Sequence, residues 1–406
     1  MNPVRPRRWF VLAALMAVTL VCEAEWLLHA AVARPAAAFY AGQFDPASLF
    51  NIDFLALSYM VVFLVACLPA SWVLERWGLG VGVGIGAALT VAGAVGKAWM
   101  ASSFAGQIGF QVVLAVAQPF LINAATTLAR DWFAPHERAT AAGLASLAQY
   151  LGFVAALTVA PALVQAHPEL PNYGSGVDTA LLVFALAAVA AGAFSLLLVR
   201  RGPLHVGGGP AFFASLGQLW KSRDFRLTLL LFFLGLGMLN AITSLTDTLA
   251  GSLGVEDSDG LLGVGLIVGG ILGAIVIPLL SDRWRRRKGF LIFCVALAVP
   301  ALLALAAAPQ GWYAFGIGAM AVLGFALMSA GPVGFQYAAE TTTPVPESMS
   351  QGVLLLVGQI SGLVFTAGMS LGGPAAMKWW LGGFTVLMAA MALLALKLKE
   401  SKVEVT

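Results

Sequence analysis

Apolar residues fill runs of about 20 positions along the whole chain, broken by short segments that carry charges, glycine or proline. A helix rising 1.5 Å per residue needs roughly that length to cross a hydrocarbon core about 30 Å thick. The pattern predicts twelve membrane-spanning helices, over 9–33, 52–73, 79–100, 105–128, 138–160, 179–199, 226–249, 260–281, 289–307, 312–338, 348–371 and 377–396. Glycine and proline recur inside them, as is usual where membrane helices pack closely. The long polar-flanked connection, "RRGPLHVGGGPAFFASLGQLWKSRDFR" at 200–226, divides six spans from six. Its glycine-rich portion, 202–210, reads as a flexible linker, and "AFFASLGQLW" as a short amphipathic helix at the membrane interface. The expected organisation is an N-terminal six-helix bundle over 1–200, a cytoplasmic linker over 201–225, and a C-terminal six-helix bundle with a short tail over 226–406.

Composition agrees with the pattern. The chain is 60% hydrophobic and 10% charged, with a mean hydropathy of +0.91, whereas a soluble domain carries about 25% charged residues. Arg5, Arg7 and Arg8 precede a stretch too long for a signal-peptide core, and no small-residue cleavage site follows it, so a multi-pass protein of the cell (inner) membrane is expected. Of the 22 Lys and Arg, Arg34, Lys97 and Lys378 fall in or beside the odd-numbered loops, leaving 19 at the other side. The positive-inside rule then puts both termini and the middle loop in the cytoplasm. Cys22, Cys67 and Cys294 lie in apolar segments without metal-ligand spacing and read as small core residues.

Polar residues inside the spans carry the candidate chemistry. In "CEAEWLLHA" (22–30), Glu23 and Trp26 are three apart and share a face; Glu25 and His29 are four apart and share another. Counted from Trp9, Glu23 lies about 21 Å and Glu25 about 24 Å along the helix. A carboxylate at such depth must face a cavity or a partner. Three roles are open: Glu25 pairing with His29 or Lys97 near the outer mouth, Glu23 as counter-charge for a cation held against Trp26, and Glu23 as a proton-coupling acid. Trp is the best cation–π partner, and Trp26 sits away from either interface, unlike the usual aromatic belt; packing alone is its other reading. Gln118 and Gln359 each bring an amide into the bilayer region, one in each half, for substrate or for helix–helix hydrogen bonding. Asp247, near the end of span seven, is a candidate for the outer vestibule, and Asp53 for helix capping.

The halves resemble one another. "ERATAAGLASLAQYLG" (137–152) and "ESMSQGVLLLVGQISG" (347–362) share Glu, Gln and Gly at a constant offset of 210 residues. "VLERWGLG" (73–80) follows span two and "LLSDRWRRRKG" (279–289) follows span eight. Together these resemble the parallel six-helix repeats and the acidic-Arg-x-Gly loop motif of the major facilitator superfamily. That likeness implies an all-α membrane fold in two six-helix bundles. It also implies a cytoplasmic gate, for which Glu75, Arg76, Asp282, Arg283, Arg130 and Glu340 are the candidates. An acid at one helix end can face the positive end of a neighbouring helix; ordinary positive-inside charge is the other reading of the arginines.

A narrower likeness follows. "RRWFVLA", "EW", "IDFLALSYM", "AQPFLI", "WFAPHERATA" and "GPVGFQYAAETTTPVPE" resemble the feline leukaemia virus subgroup C receptor-related family, over nearly the whole chain. The resemblance implies carriage of choline or related cations, with haem proposed for some members. It implies an aromatic-lined site matching Trp26, Gln118 and Gln359, with Asn240 where the family has a tyrosine. Glu23 and Glu25 stand where the family has neutral residues.

The expected function is therefore a secondary-active or facilitative transporter, symport or uniport, that moves a small organic cation by alternating access. Its site would use Trp26, Gln118, Gln359, Glu23 and Asn240, with Glu23, Glu25, His29 and Asp247 as proton-coupling or vestibule candidates. A proton-coupled exporter of lipophilic amines or drugs is the rival transporter reading, and a non-transporting receptor or scaffold the rival of another class. There is no nucleotide-binding Gly-Lys-Ser/Thr loop, paired His–Glu helix motif or serine elbow. No enzyme, cofactor, metal or nucleic-acid partner is expected. The expected partners are the substrate, a coupling proton and the lipid bilayer, with the chain as a monomer.

Overall fold

The computed structural model describes residues 7–45, 48, 50–52, 54–165, 172–199, 212–255 and 261–401, without the side chains of 212–214, 247–248 and 370–375. Among these residues there is no strand. Twelve helices are long and apolar enough to cross a membrane. They run over Arg8–Ala31, Phe54–Trp77, Leu79–Trp99, Phe104–Trp132, Pro135–Leu163, Val177–Val199, Arg223–Ser244, Leu261–Trp284, Lys288–Ala307, Tyr313–Thr341, Glu347–Met369 and Ala376–Ala395. They are numbered here as spans one to twelve. Span seven ends earlier than its apolar pattern: the helix stops at Ser244 and a short helix, Thr246–Ser252, follows. "FFASLGQLWK" forms its own helix, Phe212–Lys221. The linker at 202–210 and Asp53 lie outside the described residues, as does the side chain of Asp247.

Local chemistry sets several boundaries. Ser103 accepts from Gly106 N at 3.2 Å and starts span four; Ser222 does the same for span seven through Phe225 N, also at 3.2 Å. Span four carries Pro119 and breaks at Asn123. The Asn123 amide ties the break to span two, donating to the Cys67 carbonyl at 3.1 Å and the Ser71 hydroxyl at 2.9 Å.

Helical residues run unbroken from Glu347 to Ala395, yet the Phe365 and Phe384 rings lie 5.2 Å apart. Nineteen residues of straight helix would separate them by about 28 Å. The chain therefore doubles back between spans eleven and twelve, and Trp380 lies against Gly368.

The chain divides into two compact units. One holds Val4–Trp132 and Ala145–Gly208; the other holds Phe133–Leu144 and Gly209–Thr406, with Met1–Pro3. The assignment of Phe133–Leu144 to the second unit departs from a simple division at the linker. Its reason is chemical: Asp282 of span eight accepts from the Ala139 and Thr140 amides at the start of span five, at 3.3 and 2.6 Å. The core of the first unit joins Ala24, Leu28, Leu55, Phe104, Ala156 and Phe184 around the last turns of span one.

Candidate functional site

The first unit buries a polar and aromatic cluster in the second half of span one. Glu23 is 0% exposed, and both its oxygens accept from one amide group, Gln118 Nε2, at 3.0 Å each. Gln118 reaches it from span four, one residue before Pro119. A neutral amide satisfies part of a carboxylate's four lone-pair sites and none of its charge. Among the described residues Glu23 has no ion pair. Glu25, two residues on, is paired with Lys97 at 2.8 Å, both side chains fully buried.

Trp26 lies beside them. Its indole Nε1 donates to the Ala56 carbonyl of span two at 2.7 Å. The ring stacks on Tyr59 (centroids 5.6 Å, 13°) and meets Phe153 edge-on at 5.4 Å. Tyr150 of span five packs on Phe153 at 6.1 Å and lies within electrostatic reach of Glu23. Spans one, two and five thus each supply aromatic surface next to an unpaired acid.

Side chains from other spans also grip the backbone of span one. Tyr59 Oη donates to the Cys22 carbonyl at 3.2 Å, Lys97 Nζ to that of Glu25 at 3.3 Å, and Gln111 Nε2 to that of Trp26 at 3.3 Å. Tyr59, Gln107, Gln111 and Phe153 are the residues that sequence reasoning missed. Gln107 and Gln111 stand four apart inside an apolar run, the same kind of signal that singled out Gln118.

A close approach beside Glu23 depends on Gly152. A Cβ there would stand 2.8 Å from Glu23 Cβ and 3.1 Å from Ala24 N, so span five passes span one with backbone almost against backbone. In the second unit, a Cβ at Gly362 would stand 2.8 Å from Asn240 Nδ2. Gly152 and Gly362 are the repeated glycines, and each lets a helix pass a polar residue closely. Gln359, one turn before Gly362, is half-buried, and its Oε1 has no hydrogen-bond partner among the described residues.

The loop-motif residues fall into two groups. In the first unit, Arg130 lies 3.8 Å from Glu75 and 2.9 Å from Asp131, while Arg76 is exposed. In the second unit, Asp282 accepts from the span-five amides and from Thr140 Oγ1 at 2.7 Å. Its guanidinium partner is Arg287, not Arg283, which is exposed. Arg287 is fully buried and also bonds Glu340 at 3.2 Å and Ser281 Oγ at 3.1 Å. Burial works against its charge, but Glu340 and Asp282 outweigh that and hold the guanidinium above its ordinary pKa. The backbone explains the choice: Arg286 N donates to Ser281 O and Arg285 N to Asp282 O, with Arg285 at φ +51°. This Schellman-type reversal turns Arg287 back beneath Asp282.

The sequence profile of the Major Facilitator Superfamily matches residues 10–377. The chain belongs to that superfamily. It is a Major Facilitator Superfamily transporter, and a multi-pass membrane protein. Among characterised relatives it is 27% identical over 383 residues to solute carrier family 49 member A3 of Danio rerio, covering 88% of this chain and 77% of that one. To the human choline/ethanolamine transporter FLVCR2 it is 24% identical over 392 residues, covering 89% and 71%. The narrower likeness drawn from the sequence motifs is thus matched by these relatives. Solved Major Facilitator structures share the fold. The proton:xylose symporter XylE superposes with a TM-score of 0.76 at 13% identity, covering 98% of this chain and 97% of that one. The E. coli fucose:proton symporter FucP gives 0.72 at 16%, covering 95% and 98%.

Proposed function

We propose that this transporter moves a small organic cation of the choline type, held against Trp26 and Tyr59 and neutralised by Glu23. The observation that carries the reading is the buried Glu23 carboxylate, which among the described residues has a neutral amide and no cation for a partner, one helical turn from stacked aromatic rings. A buried anion without a counter-charge is costly, and an arriving ammonium supplies one. Trp adds a cation–π contribution of about 2 kcal/mol when desolvated. The human relative FLVCR2 is a choline/ethanolamine transporter, which supports the same chemistry. Gln118 positions the carboxylate. Asp282, Arg287 and Glu340, with Glu75 and Arg130, serve as gate contacts that form and break with the conformational cycle.

The test is choline binding and counterflow exchange in proteoliposomes. Trp26→Ala and Glu23→Gln should each weaken binding tenfold or more, and Trp26→Phe should retain part of it because a phenyl ring keeps a weaker quadrupole. Wild-type behaviour of both Trp26→Ala and Glu23→Gln would remove the site.

A further inference from the structure

Glu23 and Trp26 belong to a longer stripe on span one. Thr19 stands four residues before Glu23 and seven before Trp26, so the three side chains share one helical face. Glu25 and His29 lie on another, the first paired with Lys97 and the second buried. Thr19 is 3% exposed, and its Oγ1 is buried without a hydrogen-bond partner among the described residues. A threonine inside a helix can bond a carbonyl of its own preceding turn, as Thr90 does with Gly86 at 2.8 Å. Thr19 does not, which leaves its hydroxyl open, and buried polar atoms nearly always have a partner.

Thr19 lines a small cavity among spans one, four and five, within the first unit. Its place relative to the acid is the same on each span. Thr19 is one turn before Glu23 on span one, Leu121 and Ile122 are one turn past Gln118 on span four, and Gln149 is one turn before Gly152 on span five. The cavity therefore sits one turn from the carboxylate, toward the Arg8 end of span one. Ser146 and Gln149, three apart on span five, add a hydroxyl and an amide to it. Leu15 and the two span-four residues supply apolar wall, and no charged side chain is in the lining. The free space is about 10 Å³, room for one water-sized group and too little for an ammonium with its methyl groups.

We propose that Thr19, Ser146 and Gln149 form a hydroxyl-binding subsite that makes the transporter selective for amino alcohols, cations with a hydroxyl two carbons from the nitrogen. The inference rests on the cation site of Trp26 and Glu23 proposed above and adds the recognition of the substrate's other end. With the ammonium at Glu23, the hydroxyl has one helical turn to reach, about 5 Å along span one. A hydroxyl donates one hydrogen bond and accepts others, and so do Thr19, Ser146 and the Gln149 amide, so both senses are met. A methyl group in that place leaves the Thr19 hydroxyl unpartnered. A carboxylate there meets no cation and loses its hydration without compensation. A site built to pair a substrate hydroxyl rejects the analogue that lacks it for the first of these reasons. Trp26 and Glu23 recognise the charge; Thr19, Ser146 and Gln149 recognise what is attached to it.

Calorimetric titration of the purified full chain in nanodiscs tests this with three ligands. They are choline, ethyltrimethylammonium, which lacks only the hydroxyl, and glycine betaine, which carries a carboxylate instead. The wild type should bind choline at least about tenfold more tightly than ethyltrimethylammonium, and betaine more weakly than either. Thr19→Val keeps the side-chain shape without the hydroxyl. It should bring choline down to the level of ethyltrimethylammonium while leaving the latter within about threefold of wild type. Thr19→Ser should keep the preference for choline. Gln149→Leu, at a half-buried position, should narrow it and gives the reading if Thr19→Val fails to fold. Equal wild-type affinities for choline and ethyltrimethylammonium, or a loss in Thr19→Val of the same size for both, overturns the subsite and leaves the Trp26–Glu23 site standing. Betaine bound as tightly as choline overturns it as well. Wild type that binds none of the three overturns the cation site and the subsite together.

Discussion

Gly78 and Arg285 occupy matching places in "ERWG" and "DRWR", and both have positive φ, +85° and +51°. Glycine takes that conformation without steric cost, whereas a residue with a Cβ is disfavoured by roughly 1–2 kcal/mol. Arg285→Gly should therefore raise the unfolding midpoint of the purified protein, by about 1 kcal/mol of stability. Arg285→Ala, which removes the same charge but keeps the strain, should show no such gain in the same thermal scan. Glycine's structural use was legible as a motif but not as a conformation, because an arginine in the second copy hides the shared backbone. The two acids show a similar limit. Spacing placed Glu23 and Glu25 on different faces of span one. The sequence offered His29 or Lys97 as the partner of Glu25; that it is Lys97 depends on how spans one and three rotate against each other, which the sequence of one helix does not contain.

At the scale of elements, the acidic loop residue after span eight acts as an N-terminal cap for span five. Asp282 holds the Ala139 and Thr140 amides and the Thr140 hydroxyl, groups that would otherwise lack partners at a helix start. Asp282→Asn keeps one carbonyl acceptor but loses the charge opposite Arg287, a residue that is buried with nowhere to go. Transport should drop tenfold or more in proteoliposomes, while equilibrium affinity for the proposed substrate, probed with choline by thermal shift, stays within a few-fold. Loss of binding in folded protein would contradict a gating role. The acid could be read from the sequence; its arginine could not. Five basic residues crowd positions 283–288, and the turn at Arg285 selects Arg287 from among them. Tyr59 illustrates the same point on another helix, since a lone tyrosine in an apolar span tells of a partner for its hydroxyl but not of the Trp26 ring that it stacks on.

For the whole molecule, twelve spans in two sets of six were legible because apolar run length is a direct measure of membrane thickness. Their ends agree with the structure to within a few residues. Topology adds a test independent of any substrate. With 19 of 22 basic residues at one side, a reporter fused after Thr406 and another inserted near Gly208 should both read as cytoplasmic. A signal from the opposite side for either would remove that orientation. The reversal between spans eleven and twelve was legible as the break at 371–377, where Gly372, Gly373 and Pro374 interrupt the apolar run, although helical residues continue through it.

The segment beyond span twelve has a consequence for how the chain is made. Glu400 accepts from the Arg287 and Lys288 amides at 2.7 and 3.0 Å, capping the start of span nine. Next to it, Lys399 O accepts from Tyr337 Oη at 2.7 Å and Lys399 N donates to Asp224 at 3.3 Å. A ribosome makes the start of span nine more than a hundred residues before it makes Glu400. Until translation reaches that point, the nascent second unit carries an uncapped helix and an untethered Tyr337, so a segment made well after span nine completes contacts of helices inserted before it.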